Sequence, residues 1–240
     1  MYTNNLKVDI KNNCLNCSKR SNSLLSDLSN KELNILNKNR YTVSYKSGDI
    51  ICKEGTKPLG LICLNKGKVK IVRRGLKGTE QIVGLKKAVD FIDFRALIAG
   101  NSYLSSSIAL EDSSVCIIKK KDFFKVIGMN KKLAFKIIRS LALELIKKDS
   151  SLVNITQKHI RARLAEALIL INNIYGTNSS DGFLNVSLKR SELAGLANMT
   201  TANAIRVLSS FYKDKIVDVN HRKIKINKLD FLKEISIFDR

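Results

Sequence analysis

Nowhere in the 240 residues does an apolar run reach the ~18 residues that a membrane-spanning helix needs, so no spanning segment is expected. Histidine is scarce: His159 and His221 are the only imidazoles available as bases near neutral pH. Neither a phosphate-cradling glycine loop nor a zinc-protease motif accompanies them, which argues against an enzyme. Proline occurs once, as Pro58, in what reads as a turn. Acidic residues are few, with 21 Asp and Glu against 43 Lys and Arg, giving a net charge of +22. That excess favours polyanionic partners, because a basic protein releases condensed counterions from nucleic acid. It is not concentrated at one end: residues 157–240 carry 14 basic and 8 acidic residues, and residues 1–156 carry the remainder. Drift toward Lys, Asn and Ile in an AT-rich genome gives the same excess.

The Met1 to Lys11 stretch is polar and charged where a secretory signal would be apolar, and a cytoplasmic location is expected. Five cysteines, Cys14, Cys17, Cys52, Cys63 and Cys116, make an odd set in such a chain. Reduced thiols or a metal site therefore fit better than a disulfide framework.

The length suits two modest domains. From Tyr41 to Ile118, short apolar runs are punctuated by Gly48, Gly55, Gly60, Gly67, Gly75, Gly78, Gly84 and Gly100, the turn spacing of an all-β barrel or double sheet. Lys68–Val72 and Ser114–Ile118 show the alternation of single strands. Beyond Asp122 a heptad stripe appears, with Ala134, Ile138, Leu141, Leu145, Lys148, Leu152 and Ile155. It predicts a long helix that either seeks a partner or covers its own core. Lys148 interrupts the apolar stripe. A second helix is expected from Gln157 to about Tyr175, closed by the loop Gly176–Gly182.

The segment Leu188–Leu208 reads as a helix-turn-helix. A short helix runs through Ala197, Asn198 takes a tight left-handed turn, and a second helix runs from about Thr201 to Asp214, with Thr200 as its cap. Ala194 and Gly195 are small enough for two helices to cross closely. Val207, Leu208 and Phe211 face a core, which leaves Thr201, Ala202, Ile205 and Arg206, with neighbouring Asn203, for a DNA groove. Arg206 is the best candidate for a base contact, since guanidinium pairs with both major-groove acceptors of guanine. Ile216–Val219 and Ile224–Ile226 then read as two strands around a basic turn whose Arg222 and Lys223 would hold backbone phosphate.

These residues bring the chain close to a known family. Lys46–Gly55 and Leu61–Gly67 resemble strands and turns of the jelly roll of Crp/Fnr regulators, and Gln157–Glu166 resembles the start of their DNA-binding domain. The likeness is nearest to the Fnr-like branch of Bacteroidetes. It implies an α+β fold with four parts: an N-terminal cysteine-containing segment (1–28), a double-stranded β-helix resembling a cyclic-nucleotide-binding jelly roll (29–127), a long dimerisation helix (128–156), and a winged helix-turn-helix (157–240). A homodimer paired through Ile138, Leu141, Leu145 and Leu152 would set two recognition helices on palindromic double-stranded DNA, with RNA polymerase as the further partner and no membrane association.

Two departures stand out: Ala202 occupies the place of a glutamate common in Fnr-type recognition helices, and Lys189 stands where relatives have a Ser or Thr cap. Where Crp holds cyclic AMP with Gly-Glu and Arg-Ser pairs, this chain has Asp93-Phe94 and Tyr103-Leu104, so cyclic AMP is not expected to bind. Fnr instead holds a 4Fe–4S cluster on four cysteines. Cys14, Cys17 and Cys116 match three of those ligands, and the fourth falls at Ser23. Cys63 is a candidate fourth thiolate if the N-terminal segment folds over its strand, with serine or water ligation and a zinc site as alternatives. Against these stand a cofactor-free or other-ligand regulator, Cys52 and Cys63 as small core residues, and a β-domain sensor acting through protein partners.

Overall fold

The computed structural model describes residues 8–9, 13–17, 19–75 and 78–238, so most of the Met1 to Lys11 stretch lies outside the described residues. By internal contacts, residues 1–71 with 86–146 form one compact unit, and residues 72–85 with 147–240 form another.

The first unit is built on two antiparallel sheets. One has the order β1 (Val8–Asp9), β2 (Tyr41–Tyr45), β9 (Ser113–Lys119), β4 (Gly60–Lys66), β7 (Phe91–Ile92). The other runs β3 (Ile50–Cys52), β8 (Ser106–Ala109), β5 (Lys68–Arg74), β6 (Glu80–Lys87), of which residues 72–85, the end of β5 and most of β6, count with the second unit. The expected double sheet is present. Gly48, Gly55, Gly67, Gly78 and Gly100 take positive φ as turn residues, whereas Gly60 and Gly84 lie inside strands. At Gly60 a Cβ would stand 2.1 Å from the Ile118 carbonyl oxygen, so close strand approach, not a turn, explains this glycine.

Helices α1 (Asn30–Asn37), α2 (Phe94–Ala99), α3 (Lys120–Met129) and the start of α4 (Lys131–Gln157) close this core. Leu33, Leu36, Leu61, Phe123, Val126 and Leu133 are among its buried residues. Ser29 and Glu32 form a reciprocal capping box at the start of α1.

Along α4, the stripe divides. Leu133 and Ile137 are buried, and Leu141 packs partly against the same core. Ile138, Leu145 and Leu152 remain 60%, 63% and 65% exposed. Leu141 thus faces the core, and the other three are uncovered in the single chain. Lys148, the odd member, donates from Nζ to the Val83 carbonyl at 2.9 Å.

The second unit contains α5 (Ile160–Tyr175), α6 (Arg190–Leu196), α7 (Thr201–Lys213), the strand pair β10 (Val217–Asn220) and β11 (Lys223–Ile226), and α8 (Leu229–Phe238). The second helix starts at Ile160 rather than Gln157, because α4 itself runs through Gln157 and His159 leaves the helical backbone as the N-cap of α5. Leu164, Leu168, Leu193, Leu208, Phe211 and Leu232 are buried. Among the described residues no helix is long and apolar enough to cross a membrane.

Candidate nucleic-acid interface and thiol site

The turn between α6 and α7 is held by local chemistry. Asn198 sits at φ +53, a left-handed conformation that asparagine tolerates better than most residues. Thr200 caps α7, its side chain accepting from the Asn203 amide. At α6 the Lys189 side chain makes no cap bond, but Glu192 reaches back to accept from the Lys189 amide at 2.7 Å.

Ala204, Val207, Leu208 and Phe211 are buried on one face of α7. Thr201, Ala202, Ile205 and Arg206 are exposed on the other, and Asn203 is half-buried. Arg206 Nη2 donates to Asn203 Oδ1 at 3.1 Å, which restrains the guanidinium near the N-terminal end of the helix. Beyond the helix, β10 and β11 pair antiparallel, with His221 at φ +50 making the tight turn. Arg222 and Lys223 are exposed there.

Gly195 has a different role from the one expected. A Cβ at this position would stand 2.9 Å from the Glu80 carbonyl oxygen, so the glycine accommodates the β6 backbone rather than a crossing helix. Gln81 Nε2 also donates to Asn198 Oδ1.

Two arginines that sequence reasoning missed support this motif. Arg163 Nη1 donates to the Asn198 carbonyl at 2.6 Å. Arg190 Nη2 donates to the His221 carbonyl in the wing turn. Each fixes a left-handed turn residue from a distant helix.

The cysteines converge on a second site. Cys14, Cys17, Cys63 and Cys116 line one cavity of about 40 Å³, together with Lys19, Arg20, Ser23 and Arg40. Register explains half of this: Cys63 on β4 lies directly opposite Cys116 on β9. The segment carrying Cys14 and Cys17 reaches the same place, where Asn37 Oδ1 accepts from the Cys14 amide and Lys19 Nζ donates to the Asn65 carbonyl. Burial pushes the Cys14 and Cys63 thiols above their usual pKa, with neighbouring cysteines adding to the effect at both. Arg40 Nη2 donates to Cys116 Sγ at 2.6 Å.

Ser23 also lines the cavity, but its Oγ donates to the Arg20 carbonyl and accepts from the Leu25 amide. Cys52 lies elsewhere, buried, its thiol pKa pushed up to about 12 by desolvation. Near it Asp93 takes φ +44, and its Oδ2 accepts from Ser107 Oγ at 2.8 Å. Burial raises the Asp93 pKa above the usual carboxylate value.

Two family models match the chain: a cyclic nucleotide-binding domain over residues 42–130 and a Crp-like helix-turn-helix domain over residues 162–235. The chain belongs to the Crp/Fnr family. Among its relatives is the regulatory protein HlyX of Actinobacillus pleuropneumoniae, 24% identical over 227 residues, covering 91% of this chain and 92% of that protein. An anaerobic regulatory protein of Aggregatibacter actinomycetemcomitans is 25% identical over 232 residues, covering 93% and 87%.

Among solved structures, FixK2 of Bradyrhizobium japonicum superposes with a TM-score of 0.71 at 20% identity, over 80% of this chain and 95% of that one. A CRP/FNR-family regulator from Thermus thermophilus gives 0.69 at 18% identity, over 81% and 97%. This Crp/Fnr protein is thus a DNA-binding transcriptional regulator, and its relatives and fold are those of regulators rather than enzymes.

Proposed function

We propose that the protein binds palindromic double-stranded DNA as a homodimer and reports the redox state of its thiol site to the promoter. The observation that carries the DNA reading is the exposed face of α7, where Thr201, Ala202, Ile205 and a restrained Arg206 stand behind the Thr200 cap. Arg206 reads guanine in the major groove, Thr200 and Asn203 flank it, and Arg222 and Lys223 in the wing grip phosphate. Ile138, Leu145 and Leu152 supply the apolar seam between protomers, and Leu141 supports it from the core side. RNA polymerase is the partner downstream, as the family implies, and the cytoplasm is where it acts.

The thiol site fits a 4Fe–4S cluster in donor identity and number, with Cys63 replacing the ligand lost at Ser23. It fits in charge as well: Lys19, Arg20 and Arg40 line the cavity, and among its described lining residues no carboxylate occurs. Its closure is incomplete, since among the described residues no group of three or more His, Cys, Asp or Glu side chains is gathered closely enough to hold a metal ion. Loading therefore requires the four sulfurs to draw closer together. When bound, such a cluster supplies a one-electron couple sensitive to dioxygen. The proteins named as anaerobic regulators among the relatives support this reading.

The small cavity favours a second reading, a cofactor-free regulator of the same DNA. Cyclic AMP is disfavoured in both, because Asp93-Phe94 and Tyr103-Leu104 stand where Crp has its Gly-Glu and Arg-Ser pairs, which leaves no arginine for a cyclic phosphate; Asp93 Oδ2 instead accepts from Ser105 and Ser107. Selection of bound duplexes from random DNA, with and without dioxygen, tests the proposal. Enrichment of an inverted repeat that weakens in air supports it; an enriched set without twofold symmetry refutes it.

A further inference from the structure

Among the described residues, Arg40 is a buried cation with no carboxylate paired to it. It immediately precedes β2, is 8% exposed, and enters none of the ion pairs among the described residues. Its Nε is buried without a hydrogen-bond partner, and Nη2 donates to Cys116 Sγ at 2.6 Å. Guanidinium does not lose its proton in proteins, so it cannot escape the cost of burial by becoming neutral. A buried charge of this kind persists where an opposite charge meets it. The cavity it enters holds four thiols and two further cationic residues, Lys19 and Arg20. The missing anion must therefore come from the sulfur side.

We infer that Arg40 is a positioning residue of the thiol site, fixing the Cys116 sulfur and setting how readily the loaded site gives up an electron. The inference rests on the proposal that the four thiols hold a 4Fe–4S cluster. Four thiolates would outweigh the charge of a bound iron–sulfur core and leave the loaded site net negative, and an electron given up to dioxygen, which would become superoxide, would lower that negative charge by one. A fixed cation and an N–H donor at the sulfur both favour the more negative state, since net charge and hydrogen bonds to sulfur set cluster potentials. Arg40 thus holds the site in its reduced form and sets the dioxygen exposure at which it is lost.

The test uses the full chain, reconstituted anaerobically with iron and sulfide, in its parent form and as Arg40→Met, Arg40→Gln and Arg40→Lys. The readouts are the midpoint potential, the decay of the thiolate-to-iron absorption band under a fixed dioxygen concentration, and thermal unfolding without iron. The charge-removing variants are expected to shift the oxidation equilibrium about tenfold, or ~59 mV for a one-electron couple, and to lose the band faster. Arg40→Lys should restore values close to the parent's. Without iron, Arg40→Met should unfold no earlier than the parent, because it removes an unbalanced buried charge. If Arg40→Met does not fold, Arg40→Gln carries the comparison, since it keeps a donor and loses the charge.

A loaded charge-removing variant with the parent's potential and decay overturns the inference and leaves the cluster reading intact. Arg40→Lys behaving like the neutral variants overturns it too. A parent chain that takes up no iron overturns the cluster reading itself, and the inference with it.

Discussion

Removing the uncovered side chains of α4 should separate the protomers without unfolding them. Leu145 and Leu152 are 63% and 65% exposed in the single chain. Burying a fully exposed leucine contributes roughly 1.5–3 kcal/mol, so covering the remaining two-thirds is worth about 1–2 kcal/mol for each. The double variant Leu145→Ala, Leu152→Ala deletes both side chains from both protomers and should cost the dimer roughly 4–8 kcal/mol. At 1.4 kcal/mol per decade, that raises the dimer dissociation constant by roughly three to six orders of magnitude. Sedimentation equilibrium measures the constant, and circular dichroism checks that the monomer stays folded, as expected for surface substitutions. Leu133→Ala is the contrasting control: Leu133 is 2% exposed, so this change should cost about 2–5 kcal/mol of folding stability instead. An unchanged dimer constant in the double variant would refute the assignment of this seam.

Two helix caps offer opposite effects. Thr200→Ala removes the bond to the Asn203 amide and should destabilise the second unit by about 1 kcal/mol, whereas Lys189→Ser supplies a missing cap and should stabilise by a similar amount, both read by urea unfolding. Asp93 gives a pH signature. Its folded pKa is raised by burial, so between the unfolded and folded values the native state binds more protons than the unfolded one. Its contribution to stability is therefore fully present below the unfolded value and is lost as pH rises through the folded value. Asp93→Asn should remove that loss, and Asn also suits the left-handed φ. A variant whose unfolding midpoint falls with pH as steeply as the parent's would contradict this.

What the sequence made legible follows the range of the interactions. The helix-turn-helix was readable because its determinants are local: a capping hydroxyl at Thr200, a left-handed asparagine at Asn198 and the spacing of Val207, Leu208 and Phe211. The double sheet was readable as a class from its glycine punctuation, but Gly84 could not be told from a turn glycine, because strand and turn glycines look alike without their neighbours. Gly195 was explained by the wrong neighbour for the same reason.

The thiol site was half legible. Three cysteines matched a known ligand pattern, while the place of Cys63 depends on the register of β4 against β9, which nothing local in the sequence dictates. Arg40, Arg163 and Arg190 went unnoticed because each acts on a group 31 or more positions away in the chain. A buried arginine carries no sequence signal of its own, since the same residue type is ordinarily exposed.

The most direct test of DNA recognition is a gel-shift titration of the parent and Arg206→Ala on an inverted-repeat duplex, with half-sites about 34–36 Å apart. The account predicts that the parent shifts the duplex and that the variant loses about 1–3 kcal/mol per half-site, along with its preference at one base pair. Equal affinity and equal base preference in the two proteins would contradict it.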